Sequence, residues 1–254
     1  MAEKPYSITA TARTPALIIY LLDTSGSMSE SCGGRSRLDV VADNLRRVAI
    51  KMVQRSTKGA RVAPRYRIAM YAYSSSVQDV FGGVKTIEEV AQVGVPQLVP
   101  LETTDTAAAF LAAERLLLAE APNLQNCPAP LICHLTDGEY NGADPQPIVD
   151  RIRQMEFPDG HVLVENIFVT DEALNDPITN PTSWAGLSDP TQLVSAYGRK
   201  MFDMSSPIPE AYLAIMREYG YNQLTTDSRM MFPGNNPEIV ELGFVMSSAT
   251  PVTA

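Results

Sequence analysis

Apolar and polar positions follow two different rhythms along this chain. Residues 16–22 form an unbroken apolar run, which is typical of a strand buried on both faces of a sheet. Shorter strand-like segments follow at residues 66–73, 131–136 and 162–169. Residues 36–56 instead show a helical spacing, because their apolar positions recur every three or four residues along one face: Leu38, Val41, Leu45, Val48 and Met52. The chain therefore begins with a buried strand and a long amphipathic helix.

The same two patterns alternate over the rest of the chain. Helical segments are predicted at residues 105–120, 144–155, 191–199 and 209–219, extended ones at 78–81 and 200–205. Alternating strands and helices favour an α/β fold: a doubly wound, mostly parallel central sheet with helices on both faces. We also expect one antiparallel edge strand.

The pattern also suggests a division of the chain. Residues 1–220 are predicted to form the main domain, with its core in residues 16–220. Residues 171–190 are polar and proline-bearing, so we predict a loop insertion there. Periodicity is weak after Gly220, and residues 221–254 are expected to be a C-terminal extension whose structure the pattern leaves open.

Composition narrows the class of function. The 254 residues are 45% hydrophobic and carry a formal net charge of −9, which argues against binding nucleic acid or an anionic membrane. No apolar run approaches the ~20 residues that span a bilayer. The N-terminus lacks the pattern of a signal peptide, and three cysteines do not make a disulfide framework. We therefore expect a cytoplasmic protein of unknown oligomeric state.

Polar side chains follow two of the buried strands. Asp23, Ser25 and Ser27 come directly after the first strand, and Asp137 follows the strand at 131–136. Thr104 stands just before a predicted helix. Ligands of α/β sheets bind beyond the carboxyl ends of the strands, so these side chains should meet there. Carboxylate and hydroxyl oxygens suit a hard divalent cation, and Mg²⁺ in particular.

These residues resemble the metal-ion-dependent adhesion site of von Willebrand factor A domains, which have a Rossmann-like fold. The family's Asp-x-Ser-x-Ser pattern is matched by Asp23, Ser25 and Ser27, its threonine best by Thr104, and its Thr-Asp-Gly aspartate by Asp137. The resemblance implies a Mg²⁺ site, with Mn²⁺ or Ca²⁺ as alternatives, completed by a Glu or Asp of a partner protein. It also implies a protein-interaction module rather than an enzyme. The closest subfamily resemblance is to intracellular bacterial proteins associated with tellurium resistance.

Other interpretations stay open at this point. A metal-assisted hydrolase such as a phosphatase is one alternative, although no catalytic constellation is evident. An accessory subunit of an AAA-type ATPase or of a kinase/phosphatase system is another, and an assembly protein with a degenerate site is a third. Asp171, Glu172 and other acidic residues should form an acidic rim, which would repel an acidic ligand. His134 is interpreted as a core residue, and Trp184 as a residue of a loop that sets partner choice.

Overall fold

A computed structural model describes residues 5–32, 34–95, 97–101, 103–170, 173–234 and 236–252. Its central sheet contains seven strands in chain order: β1 Ala16–Asp23, β2 Tyr66–Tyr73, β3 Val77–Asp79, β4 Lys85–Thr86, β5 Leu131–Thr136, β6 Leu163–Phe168 and β7 Met231–Pro233. In the described residues, seven α-helices surround it: α1 Arg37–Ser56, α2 Ile87–Val93, α3 Thr106–Glu120, α4 Gln146–Gln154, α5 Ala196–Met204, α6 Glu210–Glu218 and α7 Pro237–Ser247.

The sheet is mostly parallel, as the alternation of strands and helices predicts. Its order is β7-β6-β5-β1-β2-β3, and all neighbours from β7 to β2 run parallel. The strands β3 and β4 both pair antiparallel with β2. The predicted fold class, including antiparallel pairing at the edge of the sheet, is therefore confirmed.

Strand β1 shows why helices cover both faces of the sheet. Because successive side chains point to opposite faces, Ile18, Tyr20 and Leu22 enter one hydrophobic core. The alternate residues enter the other core: Leu17, Ile19 and Leu21. The first core is shared with α1, α2, α6 and α7, and the second with α3, α4 and α5. A strand buried on both faces needs apolar residues throughout, which explains the unbroken run.

The first long helix begins where the sequence predicts. The hydroxyl of Ser36 accepts a hydrogen bond from the backbone N–H of Asp39 at 3.0 Å and so caps α1. The five apolar positions of the predicted face are all buried. Arg37 is the first residue of the helix, a position that bears on the site described below.

The helix predicted at residues 191–199 is shifted along the chain, and the extended segment predicted at 200–205 is wrong. A 3₁₀ turn occupies Pro190–Gln192, and the next helix, α5, runs over Ala196–Met204, through the segment predicted to be extended. Its cap is Ser195, whose hydroxyl accepts from the N–H of Gly198 at 2.9 Å. In this helix Met201, Phe202 and Met204 all enter the second core, and this tertiary burial decides the conformation.

The segment after Gly220 supplies two elements of the same fold. Strand β7 pairs in parallel with β6, and α7 packs against α1, β6 and β7. Gly243 allows the close approach of α7 to the sheet, because a Cβ there would lie 2.9 Å from the Ile167 side chain. In the described part of the chain, no helix is both long enough and apolar enough to span a membrane.

The predicted insertion forms a loop with a short 3₁₀ turn at Pro181–Ser183. The Trp184 ring is partly buried and packs edge-on against Phe232, with 6.1 Å between the ring centroids. This contact attaches the loop to strand β7. Asp171 and Glu172, two members of the predicted acidic rim, lie outside the described residues.

Candidate metal centre

The predicted site residues lie at the carboxyl ends of two neighbouring strands. Strand β1 ends at Asp23, and β5 ends immediately before Asp137. The chain adds β2 on one side of β1 and β5 on the other, so the sheet order reverses between β1 and β5. The loops that leave two such strands diverge and open a crevice, where ligands of doubly wound sheets bind.

Asp23 is fully buried, yet both of its carboxylate oxygens accept a hydrogen bond. The Ser25 backbone N–H donates to Oδ1 at 2.8 Å, and the Thr136 hydroxyl donates to Oδ2 at 2.7 Å. Burial raises the pKa of Asp23 to about 6. The negative charge of Asp137 also raises this pKa, whereas the hydrogen bonds lower it. A nearby cation would favour the ionised form, so this carboxylate suits a metal.

Two serine hydroxyls lie next to this carboxylate. Ser25 is almost fully buried in an extended conformation and precedes the 3₁₀ helix Gly26–Ser29. Its Oγ lies 3.0 Å from the Oγ of Ser27. The alternate spacing therefore brings both hydroxyls to the same side of the turn.

Asp137 approaches from the neighbouring strand with little exposure to solvent. Its Oδ2 accepts a hydrogen bond from Nη1 of Arg37 at 3.0 Å, and its Oδ1 accepts a weaker one from the N–H of Glu139 at 3.3 Å. Gly138 turns the chain sharply with φ of +88°, and a Cβ there would lie 2.6 Å from the Phe168 ring. Only glycine fits the Thr-Asp-Gly turn at this position.

Thr104 is held at the same edge by backbone contacts. Its carbonyl accepts from the N–H of Asn141 at 3.0 Å, and the N–H of Asp105 donates to the carbonyl of Ser74 at 2.8 Å. A third backbone bond, from Leu101 to the carbonyl of Thr24, ties the loop to the end of β1. The Thr104 side chain is buried, and helix α3 begins two residues later with Asp105 as its cap.

Arg37 is a site residue that the sequence analysis missed. Its Nη1 lies 3.0 Å from the Asp137 carboxylate, 3.1 Å from the Ser27 carbonyl and 3.1 Å from the Glu30 carboxylate. One signal was available. A cation in the first turn of a helix opposes the helix dipole, and such a local conflict calls for a compensating contact elsewhere.

The donor set fits a divalent cation. Two carboxylates, Asp23 and Asp137, and the hydroxyls of Ser25 and Ser27 supply oxygen atoms at one edge, and Thr104 lies in the adjoining loop. Oxygen-only sets of this kind suit Mg²⁺, Mn²⁺ or Ca²⁺ and not a soft metal. Within the described ranges, no group of three or more His, Cys, Asp or Glu side chains could hold a metal ion. A group of this kind does not count hydroxyl oxygens, whereas three of the five predicted ligands are the hydroxyls of Ser25, Ser27 and Thr104.

His134 and Cys133 lie in the interior of the protein, on opposite faces of β5. His134 is fully buried, with Nε2 2.6 Å from the Tyr73 hydroxyl and Nδ1 2.8 Å from the Asn166 side-chain oxygen. Cys133, on the opposite face of β5, belongs to the other core. The interpretation of His134 as a buried core residue is confirmed.

Comparison with known proteins agrees with this geometry. Residues 18–139 match the von Willebrand factor type A domain family model. Over this segment the chain is similar to von Willebrand factor type A (vWA) domains. The matched segment includes every predicted site residue, from Asp23 to Asp137. Such domains are generally protein-interaction modules. No curated protein sequence matches the chain.

Solved structures also resemble this chain in fold. An aerotolerance-related membrane protein from Bacteroides fragilis is 14% identical, with a TM-score of 0.52, over 91% of this chain and 96% of that chain. A D319A mutant of the PilB minor pilin from Streptococcus sanguinis is 10% identical, with a TM-score of 0.55, over 92% and 62% of the two chains.

A third structure, proximal thread matrix protein 1 from the mussel byssus, is 21% identical over 61% of this chain, with a TM-score of 0.42. The chain spans 38% of the length of the mussel chain. The first two likenesses show the shared fold, and at these identities they show nothing further.

Proposed function

We propose that this vWA domain is an intracellular protein-interaction module that binds a partner's Glu or Asp through a divalent metal, Mg²⁺ in the first place. The observation that carries the proposal is the convergence of Asp23, Ser25, Ser27 and Asp137 at the β1–β5 crevice, with Thr104 in the adjoining loop. When bound, Mg²⁺ would supply an open coordination position for the incoming carboxylate.

The residues of the chain have distinct parts in this proposal. Asp23, held by Thr136 and by the Ser25 N–H, is fixed in orientation before any ligand arrives. Ser25, Ser27 and Thr104 add neutral oxygens, which leave most of the charge of a divalent ion uncancelled. An incoming carboxylate is therefore attracted to the site.

A binding role fits the surroundings of the site better than hydrolysis does. Both ring nitrogens of His134 contact Tyr73 and Asn166 in the core. His161 lies in a short hairpin before β6, at the amino end of the strand. Neither histidine of the sequence is placed to act as a general base at the carboxyl edge.

A reducing compartment suits the buried cysteines. Cys127 and Cys133 are both free thiols, and they face different cores. The free thiols support the cytoplasmic location that we propose.

The test of this function is partner capture under four conditions. Tagged wild type and tagged Asp137→Ala are each exposed to lysate of the native cell in Mg²⁺ and in EDTA, and captured proteins are identified by mass spectrometry. We expect a protein that only the wild type retains, and only in Mg²⁺. Identical catches under all four conditions would show that the site is not the recognition surface.

A further inference from the structure

Arg37 already neutralises part of the proposed metal site. Its guanidinium contacts the carboxylate of Asp137 at 3.0 Å, and the Arg37 side chain is only 13% exposed. Asp137 is more buried still, with 3% of its side chain exposed. The contact therefore lies between two side chains that water screens poorly.

The position of Arg37 is unfavourable in two respects, and the ion pair with Asp137 offsets them. Arg37 is the first residue of α1, where the partial positive charge of the helix end repels a cation. Its Nε is buried, and no hydrogen-bond partner for it is found among the described residues. The oxygen atoms around the guanidinium therefore hold it beside Asp137, since the helix dipole does not favour a cation at this position.

Glu30 offers a second acceptor for the same nitrogen. Its Oε2 lies 3.1 Å from Nη1 of Arg37, and 64% of the Glu30 side chain is exposed. The guanidinium can therefore leave Asp137 and keep an ion pair with Glu30 at the rim.

We propose that Arg37 competes with the divalent metal for Asp137 and thereby keeps the metal affinity of the site low. The proposal rests on the proposed metal-binding function. A guanidinium and a divalent cation repel each other, and both are stabilised by the same carboxylate oxygen. Metal binding therefore transfers Arg37 from Asp137 to Glu30, and the lost ion pair reduces the net gain from the metal.

The test compares Arg37→Gln with a matched variant on the same helix. Arg46→Gln removes an exposed arginine of α1 whose partner is Asp43, at 2.9 Å. Mg²⁺ and Mn²⁺ affinities are measured by calorimetry on the full chain, and thermal unfolding is followed with and without each metal. Arg37→Lys, which keeps a positive charge, is measured beside them.

We expect Arg37→Gln to bind Mg²⁺ about tenfold more tightly than wild type, since one opposing charge is removed from the site. The same variant should unfold at a lower temperature without metal, because Asp137 loses its partner, and should gain more from added Mg²⁺. Arg46→Gln should stay close to wild type, and Arg37→Lys should bind Mg²⁺ more weakly than Arg37→Gln, because it keeps a positive charge beside Asp137. Unchanged or weaker Mg²⁺ binding by Arg37→Gln would overturn the competition.

The outcomes separate this inference from the proposed function. If wild type binds Mg²⁺, Asp137→Ala does not, and Arg37→Gln equals wild type, only the competition fails. If Arg37→Gln binds Mg²⁺ measurably while wild type does not, both proposals are supported. Absence of binding by both proteins rejects the metal site, and the competition with it.

Discussion

Two regions of this sheet bury polar side chains, and the partners of these side chains differ between the two regions. At the middle of β5, His134 contacts Tyr73 and Asn166, and the amide of Asn166 in turn donates to the Ser205 hydroxyl at 2.9 Å. At the carboxyl edge, Asp137 has a guanidinium partner that it shares with Glu30. The first network is closed within the protein, whereas the second contains an arginine that we propose a metal displaces.

The difference separates a structural role from a binding role. A closed, fully buried network contributes to the free energy of unfolding, and losing one member leaves the others unpaired. An edge carboxylate paired with an arginine also contributes to stability, but we propose that it is available to a ligand that displaces the arginine. Substitutions in the first region should therefore change stability, and those in the second should change metal binding.

The largest expected effect is on stability, in His134→Leu. The change removes the His134 partner of the Tyr73 hydroxyl and of the Asn166 side-chain oxygen in the core, and we expect a loss of about 3 kcal/mol in the free energy of unfolding. Chemical denaturation would measure it. Mg²⁺ affinity should not change, and a substantial weakening would show that the two regions are not separate.

The pH dependence of stability sharpens the comparison. Burial lowers the pKa of His134 from its ordinary 6.5 to about 4, against the hydrogen bond to Asn166. Below pH 6.5 His134 becomes protonated in the unfolded chain, whereas in the folded protein it stays neutral down to about pH 4. The stability due to neutral His134 is thus complete above pH 6.5 and falls by up to about 3 kcal/mol as the pH drops to 4.

The measurement is the unfolding free energy between pH 7 and pH 5 for wild type, His134→Leu and His161→Gln. Carboxylates titrate in all three proteins, so the differences between them isolate each histidine. We expect a shallower acid decline in His134→Leu alone. His161 is exposed, and its variant should follow wild type. Parallel curves for all three proteins would contradict the assignment of His134.

The sequence predicts much of the fold because strands buried on both faces appear as continuous apolar runs. Tyr66–Tyr73 and Leu131–Thr136 are predicted with their observed bounds. Strand β7 has only three residues and so carries no periodicity, and it becomes a strand because it pairs with β6. Helix α5 is likewise defined by tertiary burial, which local propensity does not contain.

The site divides in the same way. Asp23, Ser25 and Ser27 lie within five residues, and a local pattern is enough to find them. The contact of Arg37 with Asp137 joins residues 100 positions apart, and it depends on β5 lying next to β1. Such a contact follows from strand order and not from any local pattern.

A smaller effect is expected from Ser25→Ala at the edge. It removes one neutral oxygen from the proposed ligand set, and we expect Mg²⁺ affinity to fall about fivefold. Calorimetry with the metal would measure this, and circular dichroism would check the fold. Affinity equal to that of wild type would remove Ser25 from the ligand set.

The smallest expected effect is in Glu30→Gln. Without the second acceptor, Arg37 should stay longer on Asp137, and Mg²⁺ affinity should fall about twofold. In the Arg37→Gln background, Glu30→Gln should not change Mg²⁺ affinity, because no guanidinium is then present to pair with Glu30. A twofold change that persists in the double variant would show that Glu30 acts on the metal directly.

The most direct test of the central claim is a Mg²⁺ titration of wild type, Asp137→Ala and Asp43→Asn. Asp43 lies on α1 and pairs with Arg35 and Arg46 on the surface, so its variant controls for loss of one negative charge. We predict that Asp137→Ala loses at least tenfold in affinity while Asp43→Asn retains that of wild type. Equal affinity in all three proteins would contradict a metal site at the β1–β5 crevice.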